Sequence, residues 1–154
     1  MPPTRGMAQS GQVTPEQKVL VKQSFALVEP IADTAAALFY DRLFQLDPTL
    51  RGLFHGDMHE QGQKLMQMIA IAVRGLDNLA QLVPAVEALG RRHAQHGIKP
   101  RDFGVVGEAL LWTLERGLGH AFTSEMRDAW AAVYAVLAET MLEGMRQSPA
   151  RAAA

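Results

Sequence analysis

The chain contains no cysteine. That removes disulfide scaffolds, thiolate metal sites, iron–sulfur clusters and thioether attachment of a cofactor from consideration. Charge of one sign is also missing: 15 Lys plus Arg stand against 16 Asp plus Glu, a formal net charge of -1. Such a balance gives no general attraction to nucleic acid or to anionic lipid, so neither is expected as a partner. No window approaches the eighteen or so uncharged apolar residues of a membrane span. The opening MPPTRGMAQSGQV lacks the apolar run of a secretion signal, and a soluble cytoplasmic protein is the expectation. Strict alternation with β-branched enrichment is absent over any strand-length stretch, as are internal repeats and low-complexity blocks. With 154 residues and 48% apolar content, what remains is enough for one core and predicts an all-α domain.

Several helices can be placed from periodicity and punctuation. Thr14, Pro15 and Gln17 make an N-cap, a first-turn proline and a capping-box partner, followed by Val21, Phe25 and Val28 at spacings of four and three. A second helix runs to about Leu46, with Leu38, Phe39, Leu43 and Phe44 spread broadly enough to be buried on more than one side. Asp47-Pro48 caps a short turn through Leu53, and the stretch FHGDMHEQGQ carries no readable period. From Gln61 the pattern resumes through Leu65, Met68, Ile69 and Ala72 to the break at Gly75. Leu82, Val86, Leu89 and His93 then continue at four, three and four residues, which puts a histidine on an apolar helical face. After Gly97 and Pro100, helices are expected over Asp102 to about Leu118 and Thr123 to about Arg146. The domain is expected over 14–147, with an unstructured extension over 1–13 and a frayed tail over 148–154.

Of five histidines, only His93 is placed inside. It can be an ordinary core histidine satisfied by backbone carbonyls, and periodicity alone does not separate that from a ligand. His93 and His96 at i and i+3 lack the third ligand a zinc site needs, and no nucleophile–base pair or phosphate-cradling glycine loop is legible. An iron porphyrin, in contrast, needs one axial imidazole, an apolar slot between helices and cations near its mouth. His93 can supply the first, with its other ring nitrogen donating to the Leu89 carbonyl. Lys64, Arg91 and Arg92 are candidates for the propionates, although each one singly reads as a solvated surface charge.

At this point the residues resemble the globin family, from about Thr14 to Met145. Pro48 and Phe54 stand six apart, Tyr40 lies fourteen before Phe54, and Gln61 and His93 are thirty-two apart. The segments LGRRHAQHGIK, VGEALLWTLERGLGHAFT and AWAAVYAVLAETM are similar to neuroglobin and its bacterial relatives, while the Gln61–His93 separation resembles that of bacterial single-domain and flavohaemoglobin-type globins. The resemblance implies a globin fold around haem b. His93 would be the proximal metal ligand, and Phe54, Lys64, Leu65, Leu89, Arg92 and Phe103 would contact the cofactor. Tyr40, Gln61 and Leu65 would line the ligand site for dioxygen, carbon monoxide or nitric oxide. Because dioxygen held at ferrous iron gains negative charge, a buried tyrosine hydroxyl donating to it forms a charge-assisted bond worth about 1.5–3 kcal/mol. That is roughly a ten- to hundredfold or greater gain in affinity.

Two departures shape the functional expectation. Neuroglobins carry a distal histidine that binds the iron itself, whereas the matching residue here is Gln61, a poor ligand, so a five-coordinate ferrous iron is expected. His59, two residues away, points to the other side of a regular helix. Flavohaemoglobin-type nitric oxide dioxygenases carry a proximal tyrosine and a late glutamate, where this chain has Phe103 and Met145, neither of which accepts a proton; Glu143 is two residues off. Reversible ligand binding is therefore expected first. Nitric oxide dioxygenase or peroxidase-type turnover, with electrons from a separate reductase because no flavin domain follows, comes second. A haem-free helical sensor, in which His93 merely packs, comes third.

Overall fold

The computed structural model describes residues 12–147. The extension expected over 1–13 lies outside the described residues apart from Gln12 and Val13, and the tail expected over 148–154 lies outside them entirely. Among the described residues six α-helices follow one another: α1 (Pro15–Val28), α2 (Ala32–Leu46), α3 (Met58–Arg74), α4 (Leu79–Gln95), α5 (Asp102–Leu118) and α6 (Ser124–Gln147). Short 3-10 turns at Glu29–Ile31, Pro48–Leu53, Leu76–Asn78 and Gly119–Ala121 join them, and no strand occurs among the described residues. The all-α expectation holds.

Local chemistry explains the starts. Thr14 accepts from the Gln17 amide at 3.1 Å while Gln17 Oε1 accepts from the Thr14 amide at 3.0 Å, the reciprocal cap that opens α1. Asp47 accepts from the Thr49 amide and hydroxyl ahead of the short turn, and Thr123 Oγ1 accepts from the Met126 amide to open α6. The start of α3 differs from expectation. The helix begins at Met58 rather than Gln61, because the Asp57 carboxylate accepts from the His59 amide at 2.8 Å. A cap satisfies backbone donors whatever the side-chain period of the first turn, and periodicity does not register it.

Two apolar clusters form the interior. Val21, Phe25, Val28, Ala35, Ala70, Val73, Leu76, Leu114, Ala129, Trp130 and Val133 close the side where α1 and α6 meet. Phe39, Tyr40, Leu43, Leu50 and Ala109 form the second, with Phe44, Phe54 and Leu65 against it. Inside the first cluster Ser24 is fully buried; its hydroxyl bonds the Leu20 carbonyl at 2.7 Å and accepts from Trp130 Nε1 at 2.7 Å. Close helix approach depends on glycines. A Cβ at Gly62 would come within 2.8 Å of Ala36 Cβ where α2 crosses α3, and one at Gly90 would come within 2.1 Å of the Met141 carbonyl oxygen where α4 crosses α6.

The pairings that matter for function are α2 with α3 and α5, and α4 with α6. The chain turns by 57° between α3 and the segment Leu76–Gln95, and α3 and α4 form no packed interface with each other. No single helix among the described residues is long and apolar enough to cross a membrane.

Candidate functional site

Helix α4 carries the apolar stripe Leu82, Val86, Leu89 and His93, yet only Gly90 among its 17 residues is buried. Its apolar stripe stays half-buried, as do Leu65, Met68 and Ala72 on α3. An amphipathic helix normally buries its apolar face against another element. Two such faces, each only half-buried, leave apolar surface on α3 and α4 that an apolar occupant could cover.

His93 is half-buried on the α4 side. Its Nδ1 lies 2.9 Å from the Leu89 carbonyl oxygen, the partner expected from sequence, so Nδ1 carries the proton and Nε2 keeps its lone pair. Burial pushes the imidazole pKa down, against the Leu89 bond that raises it, with Arg92 and His96 adding to the lowering. A neutral imidazole is the form that binds a metal. Phe103, at the start of α5, has its ring near-parallel to it, with centroids 6.5 Å apart and planes 12° apart.

Tyr40 lies on α2 and is 7% exposed. Its ring meets Phe39, Phe44 and Phe54 at 4.9–6.0 Å, edge-on to Phe39 and Phe54. Gln61 Nε2 donates to the Tyr40 hydroxyl oxygen at 3.3 Å. Burial pushes the Tyr40 pKa up and the Gln61 bond partly offsets that, so the phenol stays protonated at neutral pH. Since it accepts from Gln61, its own hydrogen is free for another acceptor. Leu65 is half-buried one turn along from Gln61 and also lines a small apolar cavity of about 20 Å³ with Phe25, Leu110 and Trp130.

The expected cations are less organised. Lys64 and Arg92 are exposed and form no ion pair among the described residues. Arg91 turns toward α6 instead, with Nη1 3.4 Å from Gln147 Oε1. His59 is exposed and borders a cleft of about 270 Å³ between α2 and α3 that Tyr40, Asp33 and Asp41 also line. No cluster of three or more His, Asp or Glu side chains suited to a metal occurs among the described residues.

Two contributors were not singled out in the sequence. Ile98 follows Gly97, whose φ of 96° makes the sharp turn after α4, and the Ile98 amide donates to the His93 carbonyl at 2.9 Å. Tyr134, on α6, donates its hydroxyl to the Phe103 carbonyl at 2.7 Å. The Gly97 turn signal pointed to the first, whereas nothing local in the sequence marks the second.

The described residues form an all-α domain with a neutral imidazole on α4 and a phenol–amide pair across α2 and α3. The chain belongs to the globin family, whose model, described as Globin, matches residues 37–141. It is 33% identical over 147 residues to a neuroglobin of Tetraodon nigroviridis, covering 86% of this chain and 92% of that one. It is 32% identical over 144 residues to a flavohemoprotein of Bordetella parapertussis, covering 92% of this chain but only 36% of the relative, about a third of its length. Among solved structures, a hexacoordinated heme protein from an anhydrobiotic tardigrade superposes with a TM-score of 0.80 at 20% identity, covering 88% of this chain and 96% of that one, a likeness of fold.

Membership implies haem, and the residues present fit it. The half-buried apolar faces of α3 and α4 suit a flat apolar ring system, and the His93 lone pair left by the Leu89 bond suits its metal.

Proposed function

We propose that this chain binds haem b through His93 and reversibly binds dioxygen with high affinity, with carbon monoxide and nitric oxide as further ligands. The observation that carries the reading is the Gln61–Tyr40 hydrogen bond, which leaves a buried, neutral phenol with an uncommitted hydrogen. Haem, when bound, supplies the iron at which a diatomic ligand is held and polarised. The rest falls to the chain. His93, neutral and held by Leu89, provides the proximal nitrogen. Tyr40 donates toward the negative end of the polarised ligand, Gln61 keeps the phenol oriented, and Leu65 with Phe54 keeps water out. Lys64 and Arg92 remain free at the surface for the propionates.

The iron is five-coordinate in the ferrous, ligand-free protein under this reading. Gln61 is engaged with Tyr40, and His59 is exposed to solvent. Turnover as a nitric oxide dioxygenase or peroxidase, with a separate reductase, is the second reading, favoured by the same phenol–amide pair and by the likeness to flavohemoproteins. It ranks lower because the ring stacked on His93 belongs to Phe103, which takes no proton from the imidazole and so does not raise its electron donation.

Absorption spectra of the haem-loaded protein test this, taken ferric, ferrous under argon, and ferrous in air, beside His93→Ala. A broad ferrous band that splits in two on admitting oxygen, and is lost in the variant, is the expected result. Two sharp bands already present under argon would mean an internal sixth ligand and would overturn the five-coordinate assignment.

A further inference from the structure

Helix α6 supports both partners of the His93–Phe103 stack. On the α4 side, the missing side chains of Gly90 and Gly144 let the backbones touch: a Cβ at either position would fall 2.1 Å from the carbonyl oxygen of Met141 or Glu87. On the α5 side, the Tyr134 ring lies against Gly107, where a Cβ would come within 2.8 Å of Tyr134 Cε2. From that seat the Tyr134 hydroxyl reaches the Phe103 carbonyl oxygen at 2.7 Å. A carbonyl has two lone pairs, so Phe103 can take this bond in addition to its helical one. Burial pushes the Tyr134 pKa up, which keeps the hydroxyl a neutral donor at any ordinary pH.

The His93 ring itself is under-determined without Phe103. Its bond to Leu89 ties down one ring atom to its own helix, which leaves the tilt of the ring plane about that anchor open. Phe103 is 7% exposed and its plane is 12° from that of His93, so the tilt is set by packing. Packing holds an angle only as firmly as the backbone that carries the packed ring. The Phe103 backbone lies in the first turn of α5, where its amide donates to the Pro100 carbonyl at 3.2 Å, the long end of the range, and the shorter Tyr134 bond ties its carbonyl to α6.

We propose that Tyr134 is a positioning residue for the proximal ligand: by holding the Phe103 carbonyl it fixes the Phe103 ring against His93 and sets the orientation of the imidazole plane. The inference rests on the haem reading above. It assigns to an aromatic side chain on α6, acting through the Phe103 carbonyl, the setting of the proximal bond.

Resonance Raman spectra of the ferrous, ligand-free, haem-loaded protein test it through the iron–histidine stretch, with Tyr134→Phe, Phe103→Leu and the double variant. Tyr134→Phe keeps the ring and removes only the hydroxyl, and is expected to shift and broaden that band. Phe103→Leu is expected to do the same, and the double variant to match Phe103→Leu alone, because Tyr134 acts through Phe103. An unchanged band in Tyr134→Phe, or a shift that adds in full on top of Phe103→Leu, overturns the proposal while leaving the haem reading intact. If Tyr134→Phe does not fold, Gly107→Ala, which pushes on the same ring, is expected to shift the band, and an unchanged band there overturns it equally. Wild-type protein that takes up haem but shows no band lost in His93→Ala would sink the haem reading, and this inference with it.

Discussion

Gln61 and Tyr40 are 21 residues apart and on different helices, yet the amide donates to the phenol oxygen at 3.3 Å. The direction of that bond decides what the pair can do: a phenol that accepted nothing would be free to donate its hydrogen to Gln61 Oε1, and nothing would remain for a ligand. Tyr40→Phe is therefore expected to raise the dioxygen dissociation rate by about ten- to a hundredfold, the loss of one charge-assisted bond of about 1.5–3 kcal/mol. Gln61→Leu removes only the orienting partner and is expected to cost less. Stopped-flow displacement of oxygen by carbon monoxide measures both, and a larger effect from Gln61→Leu would mean that the amide is the donor to the ligand.

The glycine crossing of α4 and α6 gives a prediction whose sign differs from that of an ordinary helical glycine. Alanine is about 1 kcal/mol better than glycine in a helix interior. At Gly104 nothing lies within 4 Å of an added Cβ, so Gly104→Ala is expected to stabilise by up to about that amount. At Gly90 the added atom would meet the Met141 backbone at 2.1 Å, and a backbone cannot swing aside as a side-chain tip can. Gly90→Ala is expected to destabilise by about 1–3 kcal/mol or more despite its propensity gain. Urea midpoints for the two variants check this, and equal stabilisation by both would show that α4 and α6 have room to spare.

These glycines also show where sequence reading stops. The apolar stripe ending in His93, the Leu89 partner and the break at Gly75 are local, repeat at helical spacing and could be placed before any fold was known. Gly90 reads only as a weak spot in α4, because what makes it necessary is Met141, far along the chain. The start of α3 was set three residues late, since Asp57 acts through a backbone amide and not through the apolar period. Tyr40 and Gln61 were paired through a spacing resemblance; that their polar atoms face each other, and in which direction the hydrogen runs, belongs to the crossing of α2 and α3. Cations were the poorest guide: Arg91 is drawn to Gln147, a contact 56 residues away that no local pattern announces.

Ser24 is a small polar residue at the centre of an apolar cluster, and its position is explained by Trp130. The indole N–H has its bond to the Ser24 hydroxyl, which is fully buried. Ser24→Ala leaves that donor without a partner and is expected to destabilise by about 1–3 kcal/mol. A near-neutral result in urea denaturation would mean that the indole finds another acceptor, such as the Leu20 carbonyl that Ser24 now bonds.

Alkaline pH should act on the fold through its tyrosines. The chain has two, and burial raises the pKa of both Tyr40 and Tyr134 above the ordinary 10.0. In the unfolded chain each ionises near 10.0, while in the folded state each holds its proton to higher pH, so above 10.0 the native state binds more protons than the unfolded one. Stability must then fall as pH rises, by up to about 1.4 kcal/mol per pH unit for each tyrosine until its folded pKa is reached. Below 10.0 the two states bind equally and neither residue contributes a pH dependence. Tyr134, with the larger upward shift and no side-chain donor to offset it, is expected to carry more of the effect than Tyr40, whose bond from Gln61 favours the phenolate. Urea unfolding of the haem-free protein at about pH 8 and about pH 11, for wild type, Tyr40→Phe and Tyr134→Phe, isolates each share from the lysines that also titrate there. If Tyr134→Phe loses stability between the two pH values as steeply as wild type, the hydroxyl ionises in the fold as freely as in water. The burial that holds it against the Phe103 carbonyl would then be too loose to orient anything.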